Sequence, residues 1–237
     1  MGEGYPNDGE LMKLVSSANI ACGFHAGDID TMRRTVELAI SNNVAVGAHP
    51  GYRDKENFGR RAMTLTADEI FDIVKAQLDA MITVCGEFDV QLHHLKPHGA
   101  LYNQAARDAE LARTIARAAR EIDEGLILYG LSGSALISQG ELAGLHTASE
   151  VFADRTYAPD GSLTPRSEQN ALINDADLAA GQAIRMVEEG AVVTTSGNSV
   201  TLRADTICVH GDGPHAVEFA ASIRQALEAR NIRVETL

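Results

Sequence analysis

The chain has 237 residues, of which 45% are hydrophobic, and its net charge is −13. That negative charge disfavours nucleic acid and anionic membranes as partners, because both would repel the protein. The absence of a long apolar run or a basic leader, and three widely spaced cysteines (Cys22, Cys85 and Cys208), predict a soluble cytoplasmic protein without a disulfide framework.

Six apolar runs predict the strands of one buried parallel sheet. Runs that are apolar almost throughout are typical of strands covered on both faces. In chain order they are residues 17–22, 44–48, 90–95, 126–131, 146–153 and 206–210.

Helical patterns lie between these runs, at residues 30–40, 66–85, 109–120, 175–189 and about 214–230. Thr66 and Glu69 have the spacing of a capping box, and Asp108 and Asn174 are the expected N-caps of the next two long helices. Pro214 suits the first turn of the last helix. The alternation of strand and helix predicts βαβ units and an α/β fold.

No linker or low-complexity segment interrupts the chain, so we predict a single domain over residues 1–237. One segment departs from the alternation. Pro159-Asp160-Gly161 is a strong turn signal and predicts a small hairpin insertion near residues 155–167.

Histidines recur where the predicted strands end, usually near a glycine. In parallel α/β barrels the loops that follow the strands gather at one rim, so we expect His25, His49, His94, His98 and His210 to share one mouth. Imidazoles gathered there can bind a divalent metal, transfer protons or bind an anionic substrate. Any one of them taken alone is more often a structural residue.

The stretch HLKPHGALYN (residues 94–103) is the richest in such side chains. His94, Lys96 and His98 alternate, so they share a face of an extended segment. Lys96 beside a developing oxyanion or a phosphate would stabilise negative charge. The structural alternative is a solvated lysine at the end of a strand.

A second group of charged residues flanks the predicted hairpin. Glu150 and Asp154 precede it, and Arg155 or Arg166 has the chemistry to pair with a substrate carboxylate. The structural alternative is an Asp–Arg pair that holds the hairpin down. At the same rim, His210 and Asp212 are further candidates for substrate binding.

Two turns contain glycines that suit a phosphate: GLSGSA (residues 130–135), with Gly130 and Gly133, and GDGPH (residues 211–215), with Gly211 and Gly213. The amino termini of the helices that follow offer free N–H groups and partial positive charge. Neither turn is a Walker loop, and either is weak evidence by itself.

Several motifs together resemble the LamB/YcsF family. They are LVSSANIACGFHAGD, GAHPGY, FGRR, KPHGALYN, EVFADR.Y..DG.L.PR and ADTICVHGD, in the order in which the family has them and across nearly the whole chain. The resemblance implies a seven-stranded, TIM-like β/α barrel of the glycoside hydrolase/deacetylase type.

The resemblance also implies a function, that of the A subunit of an ATP-hydrolysing 5-oxoprolinase. Such an enzyme cleaves 5-oxo-L-proline to L-glutamate, together with subunits B and C. The family begins with a strand and a DLNCD motif before Met-Gly-Glu-Gly, so the first strand of the barrel is expected to be missing from this chain. The implied cofactor is ATP, with Mg²⁺ or a metal held in the site, and a homo-oligomer is a further expectation.

From this chemistry we expect Lys96, His98, His94, Glu150 and Asp154 to be catalytic. Arg155, Arg166, His210 and Asp212 would bind substrate, the glycines at 130, 133, 211 and 213 would bind the nucleotide, and His25 and His49 would hold a metal. Two other interpretations remain: a metal-dependent hydrolase or deacetylase of a carbohydrate or acylamide that needs no ATP, and a non-catalytic lactam-binding subunit.

Overall fold

The computed structural model describes residues 1–213 and 215–237, so the expected helix start at Pro214 lies outside the described residues. Within these ranges six strands form one parallel sheet: β1 (Ser17–Ala21), β2 (Ala45–His49), β3 (His94–Leu95), β4 (Ile127–Leu131), β5 (His146–Phe152) and β8 (Thr206–Cys208). Two further strands, β6 (Ala191–Val193) and β7 (Ser199–Thr201), form a separate antiparallel pair.

In the described part of the chain, eight helices and one 3₁₀ turn connect these strands. They are α1 (Asp8–Leu11), α2 (Ile29–Ser41), the 3₁₀ turn Lys55–Asn57, α3 (Ala67–Glu87), α4 (Gly99–Ala105), α5 (Ala109–Ile122), α6 (Ala135–Leu142), α7 (Ala176–Glu188) and α8 (Ala216–Ala229). Among the described residues no helix combines the length and the apolar character needed to cross a membrane.

The parallel strands lie in the order β1-β2-β3-β4-β5-β8, and the sheet curls into an open, TIM-like barrel. Strands β1 and β8 are its two edges, and the described residues supply six parallel strands, one for each predicted apolar run. At the β1 edge the backbone of Met1 follows the strand: the amide of Ala21 donates to the Met1 carbonyl, and the Met1 amino group donates to the carbonyl of Asn19.

Helices α2, α3 and α5 cover the outside of β1 to β4 with an apolar core. Its fully buried members include Ile20, Val74, Leu78, Leu95 and Ile115. The predicted capping box starts α3, because the Thr66 hydroxyl accepts from the Glu69 amide while the Glu69 carboxylate accepts from the Thr66 amide. These caps satisfy amide donors that have no partner inside the helix.

The remaining helix caps confirm one prediction and correct another. Asp108 caps α5 as expected, with its carboxylate accepting from the amides of Glu110 and Leu111. The cap of α7 is Asp175 and not Asn174, since the Asp175 side chain accepts from the amide of Leu178. A carboxylate also interacts more favourably with the positive end of a helix.

Near residues 155–167, where a small hairpin was expected, the chain makes isolated antiparallel bridges, Arg155 with Leu172 and Tyr157 with Leu163. Two other regions differ from the prediction. The β6–β7 hairpin was not predicted, although Gly197 in its turn, at φ 82°, was a usable signal. Strand β3 is only two residues long, although residues 90–95 were expected to be extended.

Candidate active site at the carboxyl edge of the sheet

A cavity of about 990 Å³ opens at the carboxyl ends of the parallel strands and continues along the gap between β1 and β8. Because all six strands run the same way, residues that follow them meet at this mouth. The cavity is lined by side chains from four of these strand ends: His49, Lys96, His98, Glu150, Phe152, Cys208 and His210.

Three of the five strand-end histidines form one cluster. The rings of His25 and His98 stack with centroids 3.8 Å apart, and the His49 ring meets the His98 ring edge-on at 4.8 Å. Two glycines make room for them, since a Cβ at Gly51 or Gly59 would come within 2.9 Å of the His25 side chain. The repeated His–Gly pattern in the sequence therefore reflects close packing of backbone against imidazole.

Hydrogen bonds to backbone carbonyls fix the tautomers of two of these rings. His49 donates from Nδ1 to the Lys96 carbonyl at 2.7 Å, and His98 donates from Nε2 to the Phe58 carbonyl at 2.8 Å. The remaining nitrogens, His49 Nε2 and His98 Nδ1, lie 3.0 Å from each other. Burial lowers the pKa of His98 to about 3 and that of His49 well below its usual value, so both rings are neutral near pH 7.

Glu3 joins the cluster from the loop before α1. Its Oε1 lies 3.0 Å from His25 Nε2 and 3.7 Å from His98 Nδ1. Burial would raise the pKa of Glu3, but the hydrogen bond from His25 and nearby positive charge outweigh burial and lower it to about 2. Glu3 is therefore ionised, and His49, His98 and Glu3 together place three potential metal-ligand atoms within 4.8 Å of one another.

This arrangement differs from the expected metal pair His25 and His49. The structure groups His49 with Glu3 and His98, whereas His25 donates a hydrogen bond to the Glu3 carboxylate. A divalent ion fits the donor set, because imidazole and carboxylate both bind such ions.

Lys96 is a buried cation on the floor of the cavity. Its Nζ lies 2.6 Å from Glu150 Oε1 and 3.0 Å from Cys208 Sγ, and the Tyr102 hydroxyl donates to Glu150 Oε2 at 2.8 Å. Burial alone would lower the pKa of Lys96, but the carboxylate of Glu150 outweighs burial and raises it. Burial raises the pKa of Cys208 to about 12, which keeps it a neutral thiol at pH 7.

Asp154 and His210 form a second pair at the mouth. Asp154 Oδ2 accepts from His210 Nδ1 at 2.7 Å and from the His210 amide at 3.3 Å. Burial would raise the pKa of Asp154, but His210 outweighs burial and lowers it, so the carboxylate is charged. The contact places a proton on His210 Nδ1, and Nε2 is the ring nitrogen that Asp154 leaves free.

The two candidate arginines differ in burial and in hydrogen-bond partners. Arg155 is 5% exposed and donates from Nε to the Ala171 carbonyl at 3.2 Å and from Nη2 to the Thr164 carbonyl at 2.5 Å, which holds the inserted loop in place. Arg166 is exposed and also lines the cavity. Asp212 forms an ion pair with Arg60; burial alone would raise the pKa of Asp212, but this pair lowers it.

His94 is buried in the barrel interior and has different neighbours from the other candidates. Its Nε2 lies 3.1 Å from Asn19 Oδ1, and its ring stacks on Tyr129 with centroids 4.2 Å apart. Gly47 faces the same ring. These contacts place His94 in a packed layer beneath the histidine cluster.

Of the four candidate glycines, one lines the cavity and the others lie in a strand or in turns. Gly211 lines the cavity. Gly130 lies within β4 and packs against Leu136 and Ile137 of α6, and Gly133 adopts a φ of 75° in the turn before that helix. Gly213 lies in the turn before α8. Close packing of strand against helix explains Gly130 without a ligand.

The sequence analysis missed several residues of the site: Glu3, Tyr102, Cys208 and Arg60. Tyr102 had a usable signal, since it lies four residues after His98 in the same motif. Glu3 had none, because its loop reaches the cluster only through the fold.

Comparison with known proteins places these features in a family. A model described as the LamB/YcsF family matches residues 1–237. The chain is 52% identical over 240 residues to the A subunit of 5-oxoprolinase from Bordetella parapertussis, covering 99% of this chain and 95% of that protein. It is 51% identical over 230 residues to the corresponding 5-oxoprolinase subunit of Bacillus subtilis, covering 97% and 90%.

A solved structure has the same fold. The lactam utilization protein from Thermus thermophilus superimposes with a TM-score of 0.94 at 43% identity, covering 100% of this chain and 97% of that one.

Proposed function

The chain belongs to the LamB/YcsF family, and from that premise we propose that it cleaves 5-oxo-L-proline to L-glutamate with hydrolysis of ATP, as one subunit of a 5-oxoprolinase. Relatives that share about half of its residues over at least nine-tenths of their length are named as the A subunit of that enzyme, which supports a role in such a complex. Subunits B and C are the proposed partners.

The observation that carries the proposal is the buried Lys96 ammonium at the floor of the cavity. The lactam of 5-oxoproline is a stable amide that water attacks poorly. Transfer of the γ-phosphoryl group from ATP to the lactam oxygen would make the carbonyl carbon a better electrophile and release ADP. Negative charge develops at that oxygen, and a fixed cation that is shielded from water stabilises such charge strongly.

His210 and Asp154 are suited to the proton transfers. Water adds to the activated carbon, the ring C–N bond breaks, the ring nitrogen takes up a proton, and a second water releases phosphate. The lone pair on His210 Nε2 accepts the proton of the attacking water, and Asp154 holds the ring in the required tautomer at 2.7 Å. In this assignment Asp154 positions His210 and does not itself contact water.

Arg166 is the better candidate for the substrate carboxylate. It is exposed and lines the cavity, whereas Arg155 uses two of its donors on backbone carbonyls. A guanidinium can bind a carboxylate through two parallel hydrogen bonds. For ATP the proposed contact is the turn at Gly211, the candidate glycine that lines the cavity.

The test is a reconstituted assay with subunits B and C that follows ATP-coupled glutamate release. We expect Lys96→Ala, His210→Ala and Asp154→Asn each to lower kcat by about 10²–10⁴-fold, as loss of a charge-stabilising or proton-transferring group does. His146→Gln, at the exposed start of β5, is the control and should retain full activity. Unchanged rates in both Lys96→Ala and His210→Ala would remove this assignment.

The histidine cluster supports one alternative, a metal-dependent hydrolase that needs no ATP. Omitting ATP from the same assay separates the two. Turnover of the lactam, or of an acylamide, by the chain alone without nucleotide would favour the alternative.

A further inference from the structure

We propose that Glu3, His49 and His98 form a binding site for one divalent transition-metal ion. The site brings together the loop before α1, the end of β2 and the residue that precedes α4. The proposal goes beyond the proposed function, since it concerns metal binding by this chain alone and requires neither ATP nor a partner subunit.

Two ring nitrogens that face each other carry the argument. A carbonyl oxygen can only accept a hydrogen bond, so the contacts at 2.7 Å and 2.8 Å place a proton on His49 Nδ1 and on His98 Nε2. The other two nitrogens, His49 Nε2 and His98 Nδ1, have no backbone partner and lie 3.0 Å apart. Together with a carboxylate oxygen of Glu3 they form a set of three ligand atoms within 4.8 Å of one another, which is the arrangement that a single ion requires.

The spacing of these nitrogens suits metal coordination. Two ligands held at ~2.0–2.1 Å from one ion, at angles between a right angle and a tetrahedral angle, are ~2.8–3.4 Å apart. The observed 3.0 Å lies within that interval. The two rings are thus held as cis ligands by hydrogen bonds that do not involve the ion.

Glu3 supplies the negative charge that an ion would require. Its Oε1 lies 3.7 Å from His98 Nδ1 and accepts a hydrogen bond from His25 Nε2 at 3.0 Å. A histidine that donates to a ligating carboxylate is a common support in metal sites, because it orients the ligand. His25 is fully buried among these groups, and its Nδ1 has no partner among the described residues.

The donor set defines the class of ion. Two imidazoles and one carboxylate suit Zn²⁺, Fe²⁺, Co²⁺ or Mn²⁺, whereas Mg²⁺ and Ca²⁺ prefer oxygen ligands. When bound, such an ion would polarise a carbonyl oxygen or acidify a water at the mouth of the cavity.

The experiment measures metal binding directly. Purified chain treated with a chelator is titrated with ZnCl₂ by calorimetry and with CoCl₂ by visible absorption, which reports the ligands of Co²⁺. We expect one ion per chain in the wild type. Glu3→Gln and His98→Gln should each weaken binding by at least tenfold, and His25→Gln should weaken it by about 10–100-fold with an unchanged Co²⁺ spectrum.

The matched control is His146→Gln, which should bind like the wild type, since His146 is exposed and outside the cluster. Far-UV circular dichroism checks that each variant is folded. A folded wild type that binds neither ion, or equal binding by wild type, Glu3→Gln and His98→Gln, would overturn the proposal. Because no turnover is measured, failure of the proposed function would leave this result unchanged.

Discussion

At the scale of single residues, the Lys96–Glu150 ion pair is buried although burying two charges adds little to the stability of the fold. Both side chains are at least nine-tenths buried, and each would be costly to bury alone. The Tyr102 hydroxyl satisfies the second oxygen of Glu150. Replacing such a pair by uncharged groups of similar volume is often neutral for stability, which makes the chemistry of the cavity the better explanation for two charges here.

This reasoning predicts that Lys96→Met destabilises the protein by about 3–5 kcal/mol, because it leaves the Glu150 charge buried without its partner. The double variant Lys96→Met/Glu150→Gln should recover most of that loss and still lack ATP-coupled glutamate release. Urea unfolding and the reconstituted assay measure the two quantities. A single variant as stable as the wild type would show that the pair is not effectively buried.

At the scale of elements, glycines in strands determine which side chains fit inside the barrel. A Cβ at Gly47 of β2 would overlap the imidazole of His94, a residue that is itself fully buried. The absence of a side chain at one position therefore permits a large side chain on the neighbouring strand.

Gly47→Ala should accordingly destabilise the protein by about 1–3 kcal/mol or more, since the imidazole cannot move without displacing the core. His94→Ala in the Gly47→Ala background should recover part of the loss. The control is Gly181→Ala in α7, where nothing lies within 4 Å of the added methyl group. That change should stabilise the helix by up to about 1 kcal/mol. Equal midpoints of thermal unfolding for the two alanine variants would contradict this view of the barrel interior.

Helix α3 offers a separate prediction at the same scale. Thr66→Ala removes the hydroxyl that accepts from the Glu69 amide, and we expect a loss of about 1 kcal/mol in the free energy of unfolding. Thr64→Ala is the matched control, because Thr64 is exposed and precedes the cap. Chemical denaturation of the two variants in parallel provides the comparison, and similar losses would argue against the capping box.

At the scale of the whole molecule, the three free thiols link stability to alkaline pH. Burial raises the pKa of Cys22 and Cys208 to about 12 and that of Cys85 to about 11, from a usual value of 9.0. Above pH 9 the unfolded chain loses these protons while the folded protein keeps them. The stabilising contribution is therefore complete below pH 9 and is lost as pH rises.

We expect the free energy of unfolding to fall between pH 9 and 11, with each thiol contributing up to about 1.4 kcal/mol per pH unit. Cys22→Ser should reduce that slope, since a serine hydroxyl does not ionise in this range. Between pH 6 and 8 the curves of the two proteins should run parallel, which serves as the internal control. Urea titrations across this pH range provide the measurement, and an unchanged slope above pH 9 would contradict the prediction.

The parts of the fold that could be predicted from the sequence are those set by local patterns. Apolar runs located all six parallel strands, and the spacing around Thr66 and Asp108 located two helix starts, because hydrophobic period and capping act within a few residues. The separate β6–β7 pair and the shift of the α7 cap to Asp175 were missed. Both involve short turn segments in which several polar residues can take the same role.

The sequence by itself determined the family, the α/β class and which residue types reach the rim, since parallel strands bring their carboxyl ends to one side whatever their order. Only the tertiary structure decided which of those residues meet. It grouped His25, His49 and His98 with Glu3, placed His94 in another layer, and paired Lys96 with Glu150 and His210 with Asp154. Such contacts depend on the curl of the sheet and on loops that return from distant segments, and neither leaves a periodic signal in the chain.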